Sequence, residues 1–361
     1  MTGAEDIIPK ETGTGKNRYH RLQVAEVIDE TSDSKSVVFH IPDENMEVFQ
    51  YQAGQFLTLK VPYEGKDLVR CYSLASSPDV DLEHKVTIKR VDGGRISNWI
   101  NDDVKNGDFI EVMPPAGVFT LNDGENDVVL FGGGSGVTPV ISILKTALKS
   151  TSRRIKLVYA NRDKQSVIFR DELKEIQQAN SGRLEVVYIY DDYHGFLTKA
   201  MVDILVQPHD GGEFYVCGPG PFMDTVESAL LERGEDKSRI HVERFVSPAD
   251  PDEAAALEEK ARQAASNSTV ASFMVDLFGD EHEVAYEKGD TMLQSMLKAG
   301  LDAPFSCEEG MCGACICNIE GDGETQLGIN EVLSEEELAE GLTLPCQCRP
   351  ISGPVKLVFE E

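Results

Sequence analysis

Basic residues are scarce in this sequence. Its 361 residues include 34 lysines and arginines against 63 aspartates and glutamates, a net charge of −29. Nucleic-acid phosphates and anionic lipid repel so acidic a chain, so neither is expected as a partner. A long apolar run is also missing. The longest, residues 128–144, is broken by Gly132, Gly133, Gly134 and Gly136, so no membrane span is expected. Residues 1–20 contain no apolar segment of the kind found in secretory signals. The eight cysteines are therefore expected to be reduced in a cytoplasmic protein rather than paired in disulfides. A second C-x2-C pair is absent, which disfavours structural zinc. So is the strict G-x-G-x-x-G fingerprint.

What is present is concentrated near the C-terminal end. Residues 305–317 read F-S-C-E-E-G-M-C-G-A-C-I-C, with Cys307, Cys312 and Cys315 in C-x4-C-x2-C spacing and Cys346 further on. This is the plant-type spacing for a 2Fe–2S cluster, and it makes those four residues the expected metal ligands. Gly310, Gly313 and Ala314 leave room for the backbone to fold closely around the sulfides. Cys317 and Cys348 each lie two residues beyond an expected ligand, and Cys348 competes with Cys346 for the fourth position. A cluster of this kind carries one electron, so the rest of the chain is expected to supply it.

At this length two to three domains are expected. Residues 17–126 contain β-branched or alternating runs at 22–28, 36–41, 56–61, 85–91 and 109–113, separated by turn residues, which predicts a small antiparallel barrel. Arg70-Cys71-Tyr72-Ser73 sits where strand alternation points Arg70 and Tyr72 together. A guanidinium can then reach a diphosphate while a phenol ring lies against a flat ring system. Further on, Gly93-Gly94-Arg95-Ile96-Ser97 precedes a helix expected over 97–104, with Ser97 as its N-cap and an anion site at its start. Ile88 and Lys89 lie between the two motifs.

Residues 127–247 alternate strands and helices, which predicts a parallel sheet. A strand at 127–131, the turn Gly132-Gly133-Gly134-Ser135-Gly136-Val137-Thr138-Pro139 and a helix over 140–150 form a phosphate cradle. Strands follow at 155–159, ending in Ala160-Asn161-Arg162, at 184–190 after a helix over 169–179, and at 213–216. The last ends in Cys217-Gly218-Pro219-Gly220-Pro221-Phe222-Met223. His194, His209 and His241 lack metal-ligand spacing and are expected on the surface or in loops. Residues 248–269 read as a linker, polar all round and partly helical. Residues 270–361 are expected to form a ferredoxin-like α+β domain, with strands at 272–278, 281–286 and 355–359 and a helix over 291–299. From residue 270 onward there are 4 basic and 19 acidic residues, which reads either as a solubilising surface or as an acidic face suited to a basic electron acceptor.

The R-x-Y-S tetrapeptide resembles that of ferredoxin-reductase-type flavoproteins. Gly132 to Pro139 resembles their pyridine-nucleotide domain, and the cysteine loop a plant-type ferredoxin. In this order the three look like the reductase component of bacterial oxygenases. Residues 24–31, 70–74 and 159–162 most resemble ketosteroid 9α-hydroxylase reductases, with phenylacetyl-CoA epoxidase reductases next. The resemblance implies FAD, NADH or NADPH with NADH favoured, a 2Fe–2S cluster and a terminal oxygenase as acceptor. It puts Arg70, Tyr72, Ser73, Ile88, Lys89, Gly94, Ile96, Ser97 and Phe245 at the flavin, with Phe245 covering its ring. It puts Gly133, Gly134, Ser135, Gly136, Thr138, Arg162, Cys217, Gly218, Pro219, Phe222 and Met223 at the pyridine nucleotide. Tyr72, Ser73, Thr138 and Cys217 are expected nearest the hydride path, and Cys346 is preferred to Cys348. A monomer is expected. The rival readings are a non-catalytic electron carrier with a flavoprotein scaffold and a diaphorase with no dedicated oxygenase.

Overall fold

The computed structural model describes residues 19–63, 66–244, 251–330 and 332–359. They fall into two units, one ending at Arg244 and one beginning at Pro251.

The first unit opens with a barrel. Its strands are β1 (His20–Thr31), β2 (Ser34–His40), β3 (Phe56–Tyr63), β4 (Lys66–Ser73), β5 (His84–Lys89) and, after helix α1 (Arg95–Asp102), β6 (Phe109–Val112). All neighbours pair antiparallel in the order β4-β3-β6-β1-β2-β5. A bridge between Leu74 and Val86 joins the two outer strands and closes the ring. Alternation fills it: Leu22, Val24, Val37, Leu57, Leu59, Val86 and Ile88 point inward, and Ile96 and Ile100 of α1 plug one end. The helix starts two residues before the expected Ser97. Gly94 is its N-cap, and Ser97 lies inside the first turn, accepting from the Val91 N–H at 3.3 Å.

A five-stranded sheet follows, formed by β7 (Val128–Gly133), β8 (Ile155–Asn161), β9 (Leu184–Tyr190), β10 (Glu213–Gly218) and β11 (Ile240–Arg244). It is parallel throughout, in the order β11-β10-β7-β8-β9. Its crossovers carry α2 (Val137–Ser150), α3 (Arg170–Ala179), the short α4 (Asp191–His194), α5 (Lys199–Val206) and α6 (Gly220–Arg233). Central strands buried on both faces read as continuous apolar runs, so they were visible in sequence. The edge strand β11 is half-buried throughout and gave no such signal. Helix α2 begins three residues before expectation because Pro139 falls in its first turn, where a missing N–H costs nothing. His209 and His241 are not loose surface residues. His209 is buried with Nδ1 2.8 Å from Asp127, and His241 lies in β11, stacked on Tyr215 with Nε2 3.1 Å from Glu213.

The second unit starts with α7 (Pro251–Ser266). Next come β12 (Ser272–Leu277), β13 (Asp280–Ala285) and α8 (Met292–Lys298), whose Thr291 and Gln294 form a reciprocal capping box. The chain then runs through the cysteine loop to β14 (Cys317–Glu320), β15 (Glu324–Leu327), α9 (Glu335–Ala339), β16 (Leu342–Thr343), β17 (Cys348–Ser352) and β18 (Lys356–Phe359). One sheet runs β13-β12-β18-β14-β16, and β15 and β17 pair separately. Helix α7 is more than a polar tether. Ala261 and Ala265, four residues apart on one face, are fully buried, and Glu258 pairs with buried Arg349. Alanines are too small to register as an apolar stripe by eye. Among the described residues no helix is long and apolar enough to cross a membrane.

Candidate functional site

In the barrel, register sets Arg70 opposite Leu59 and Tyr72 opposite Leu57, so the two share a face as alternation requires. Tyr72 packs against the barrel core, and burial pushes its phenol up, which keeps it neutral. The Arg70 Nη1 donates to the Val69 carbonyl at 2.6 Å. Ser73 points the other way, 2% exposed, and its hydroxyl finds no partner among the described residues. At the start of α1, a Cβ on Gly94 would lie 2.4 Å from the Ser97 Oγ, so a larger residue there would displace that hydroxyl. Beside it is a cavity of about 340 Å³ lined by Gly93, Gly94, Arg95, Asn98, Trp99 and Asp102, among others. Two of the expected residues have side chains that belong to the fold. The Ile88 and Ile96 side chains are in the barrel core, and the Ile88 carbonyl is taken by Asn101. Phe245 lies outside the described residues.

In the parallel sheet two loops meet backbone to backbone. A Cβ on Gly136 would lie 2.2 Å from the Cys217 carbonyl oxygen, and one on Gly133 2.8 Å from the Pro219 ring. Gly133, Gly136, Cys217 and Gly218 are thereby brought together, with Phe222 against both Gly133 and Gly218. Gly134, at φ +54°, is open around its Cβ position. Ser135 and Thr138 form one bond, Thr138 Oγ1 donating to the Ser135 carbonyl at 3.1 Å. Met223 points instead into the core beneath. Cys217 is fully buried, and burial raises its thiol well above the usual range, so it is no nucleophile.

Arg162, at the end of β8, pairs with Asp33 of the barrel at 2.8 Å, and Lys89 approaches the same carboxylate at 3.8 Å. Three residues that sequence reasoning did not rank belong here. Asp33 bridges the two domains. The buried amide of Asn161 has neither end partnered among the described residues. Glu243, in register with Cys217, is a partly exposed residue whose carboxyl is desolvated and pushed up to about 7. Its signal was confined to an edge strand that gave no pattern of its own.

In the second unit the cysteines fall into two pairs. Cys307 and Cys312 hydrogen-bond each other, and the Cys307 N–H lies 3.4 Å from the Cys312 sulfur. Cys315 and Cys346 form the other pair, with the Cys315 thiol lowered by its bond to Cys346. Backbone N–H groups of Glu309 and Met311 point at the Cys307 sulfur at 3.3 and 3.4 Å. Among the described residues no three His, Cys, Asp or Glu converge on one metal-ion position. Two thiol pairs suit a cluster with two irons, each of which takes two cysteines, better than a single ion. A Cβ on Gly310 would meet the Ile329 carbonyl oxygen at 2.2 Å, so the loop is as tight as its glycines suggested. Cys317 and Cys348 are buried near each other in the same core cluster that holds Cys315 and Cys346, with Cys348 bonded to Thr343 and Thr325.

The residues fit the expected cofactors. Among the described residues, most of the buried, unpartnered side-chain polar groups lie in the three motifs: Ser73 in the barrel, Asn161 at the sheet's C-terminal edge and Ser306 in the cysteine loop. A buried polar atom left unpaired is costly, and a bound group can satisfy it. Gly133 and Gly136 supply a cradle that any larger side chain would fill, and four thiols supply an iron–sulfur donor set.

Comparison with known proteins agrees. An oxidoreductase FAD-binding domain matches residues 21–121, an oxidoreductase NAD-binding domain 130–228 and a 2Fe-2S iron-sulfur cluster binding domain 275–350. The ferredoxin reductase component of 3-ketosteroid-9-alpha-monooxygenase from Rhodococcus rhodochrous is 43% identical over 341 residues, covering 94% of this chain and 96% of that one. One component of the 1,2-phenylacetyl-CoA epoxidase from Escherichia coli is 30% identical, covering 95% of this chain and 98% of that one. The solved structure of phthalate dioxygenase reductase, at 25% identity and a TM-score of 0.59, covers 94% of this chain and 98% of that one. The chain therefore belongs to the family of FAD-, NAD- and 2Fe-2S-binding oxidoreductases that act as reductase components of oxygenases.

Proposed function

We propose that this protein is the reductase component of a ketosteroid 9α-hydroxylase, passing electrons from NADH to a terminal oxygenase. The observation that carries the reading is the 43% identity over 94% of the chain to a reductase component of that name. When bound, FAD would supply the conversion of a two-electron hydride from NADH into single electrons for the 2Fe–2S cluster, so the cofactors would carry the redox chemistry.

The chain's own groups position and tune. Backbone N–H groups of Gly134 to Gly136, at the start of α2, attract the coenzyme diphosphate. Arg70 would hold the flavin diphosphate, and the neutral Tyr72 ring would support the flavin. Asn161 and the unpartnered Ser73 hydroxyl offer hydrogen bonds, while Cys217 would form a small wall at the nicotinamide and Glu243 holds a proton near neutral pH. Cys307 and Cys312 would hold one iron, Cys315 and Cys346 the other.

NADH is favoured over NADPH. Arg162 is engaged by Asp33, and β8–β9 pairing brings Asp191 and Asp192 alongside, with the Asp192 N–H on the Arg162 carbonyl. A 2′-phosphate would meet two carboxylates there. The cytoplasm suits eight unpaired cysteines. The same reading takes the protein as a monomer, which sedimentation tests.

The deciding experiment is an anaerobic absorption titration with each coenzyme, followed by reconstitution with a ketosteroid oxygenase component. Bleaching of flavin and cluster bands by NADH, then steroid hydroxylation, is the expected result. Electron delivery to an epoxidase component but not to the steroid enzyme would overturn the substrate reading.

A further inference from the structure

Helix α2 carries the coenzyme loop at its N-terminus, and one turn further along it carries a polar face that the known chemistry does not use. Ser142, Lys145 and Thr146, at i, i+3 and i+4, are all buried. They meet the barrel segment that directly follows Tyr72 and Ser73. The Ser142 Oγ donates to the Ser76 carbonyl at 2.6 Å, and the Thr146 and Ser77 hydroxyls are 2.7 Å apart. Lys145 bonds Asp81 of the barrel at 2.6 Å and Glu172 of α3 at 3.0 Å. Glu172 in turn reaches back to Lys85 of the barrel at 3.3 Å. The four charges balance, two of each sign. The Ser76 hydroxyl is also engaged, accepting from Tyr51 at 2.8 Å and from the Lys85 N–H at 3.1 Å.

We propose that Ser142, Lys145 and Thr146 are positioning residues that fix the nicotinamide end of the coenzyme site against the flavin end. The inference rests on the assignment of those two sites given above. Ser142 is four residues, about 6 Å of helix rise, beyond Thr138. Ser76 is three residues beyond Ser73. The seam is therefore close to both sites on two continuous elements and has little slack to absorb error. Apolar packing alone would tolerate sliding between the domains. Directional hydrogen bonds and the ion pairs of buried Lys145 hold one register, because any other leaves buried groups unpaired.

The test is a Ser142→Ala/Thr146→Val double variant of the holoprotein, with Thr146→Ser as the conservative control. Flavin content and the Kd for NAD+ by calorimetry are expected to stay within two-fold of wild type. The rate of NADH-driven flavin bleaching in anaerobic stopped flow is expected to fall on the order of ten-fold, since small misplacements of reacting groups are amplified in rate. Thr146→Ser should bleach at the wild-type rate. In flavin-free protein, amide exchange at residues 75–77 should quicken in the double variant.

A double variant that melts lower but bleaches at the wild-type rate would overturn the proposal and leave the seam as packing only. Weakened NAD+ binding in proportion to the lost rate would overturn it too. Thr146→Val alone, which removes one hydroxyl at constant shape, reads the same way should the double variant fail to fold. Absence of bleaching in the wild-type protein would overturn the coenzyme-site assignment and this proposal together, whereas equal rates overturn only the seam.

Discussion

Replacing Gly136 by alanine puts the meeting of the two coenzyme loops to the test. The new Cβ would lie 2.2 Å from the Cys217 carbonyl oxygen, 2.4 Å from its carbonyl carbon and 2.6 Å from the Gly218 nitrogen. All three are backbone atoms of a central strand and its exit, so no side chain can swing aside. Restoring ordinary contact requires the loops to part by about 1 Å. Overpacking of this kind costs about 1–3 kcal/mol. For a unit of this size that is a melting shift of roughly 2–12 °C. The effect on function is larger, because a 1 Å displacement of a positioning element can cost on the order of 100-fold in rate. The assay is kcat/KM for NADH with ferricyanide as acceptor, read beside thermal melting of the same preparation. Gly182→Ala is the control: nothing lies within 4 Å of its Cβ position, and the change should leave melting within about 0.5 kcal/mol of wild type. Wild-type kcat/KM and unchanged melting in Gly136→Ala would refute the close approach of these loops.

Other consequences follow from single groups. Cys312→Ser should keep NADH-to-dye activity and lose delivery to the oxygenase, and normal hydroxylation by that variant would rule out the cluster as the exit. Glu258→Ala leaves Arg349, 3% exposed, without its carboxylate. Glu258 itself is one-third exposed, so water offsets part of the loss, and about 1–3 kcal/mol of destabilisation is expected in the cluster unit. Melting of the visible cluster band reads it. Glu243 has its folded pKa raised from 4.5 to about 7, so its contribution to stability is complete below pH 4.5 and is lost as pH rises through 7. Glu243→Gln should therefore match wild type in melting near pH 4.5 and exceed it at pH 8; a constant offset across that range would contradict the desolvated carboxyl. Asp33→Asn should free Arg162 and raise NADPH use relative to NADH several-fold, with the ratio of kcat/KM values as the measure.

The three modules and their order were legible in the sequence alone. Short-range patterns encode them: alternation in the barrel strands, continuous apolar runs in β7 and β8, a glycine loop ahead of a helix, and four cysteines at fixed spacing. Each of these acts within a few residues, so local physics is enough to read it. What depends on partners distant in sequence emerged only in the folded chain. Ser97 looked like a cap, but the helix begins at Arg95 with Gly94 as its N-cap, and the Ser97 hydroxyl inside the first turn accepts from the Val91 N–H. Met223 and Ile88 stand in functional motifs yet face the core, since the strand and helix that carry them must bury one side. Arg162 read as a free coenzyme contact until Asp33, 129 residues earlier, claimed its guanidinium. Glu243 gave no signal because desolvation is a property of surroundings, and Asn161, legible as part of the segment that ends β8, showed its unmet hydrogen bonds only in the folded chain. The alanine face of α7 was hidden for the same reason: only packing against β17 distinguishes a buried alanine from a solvated one.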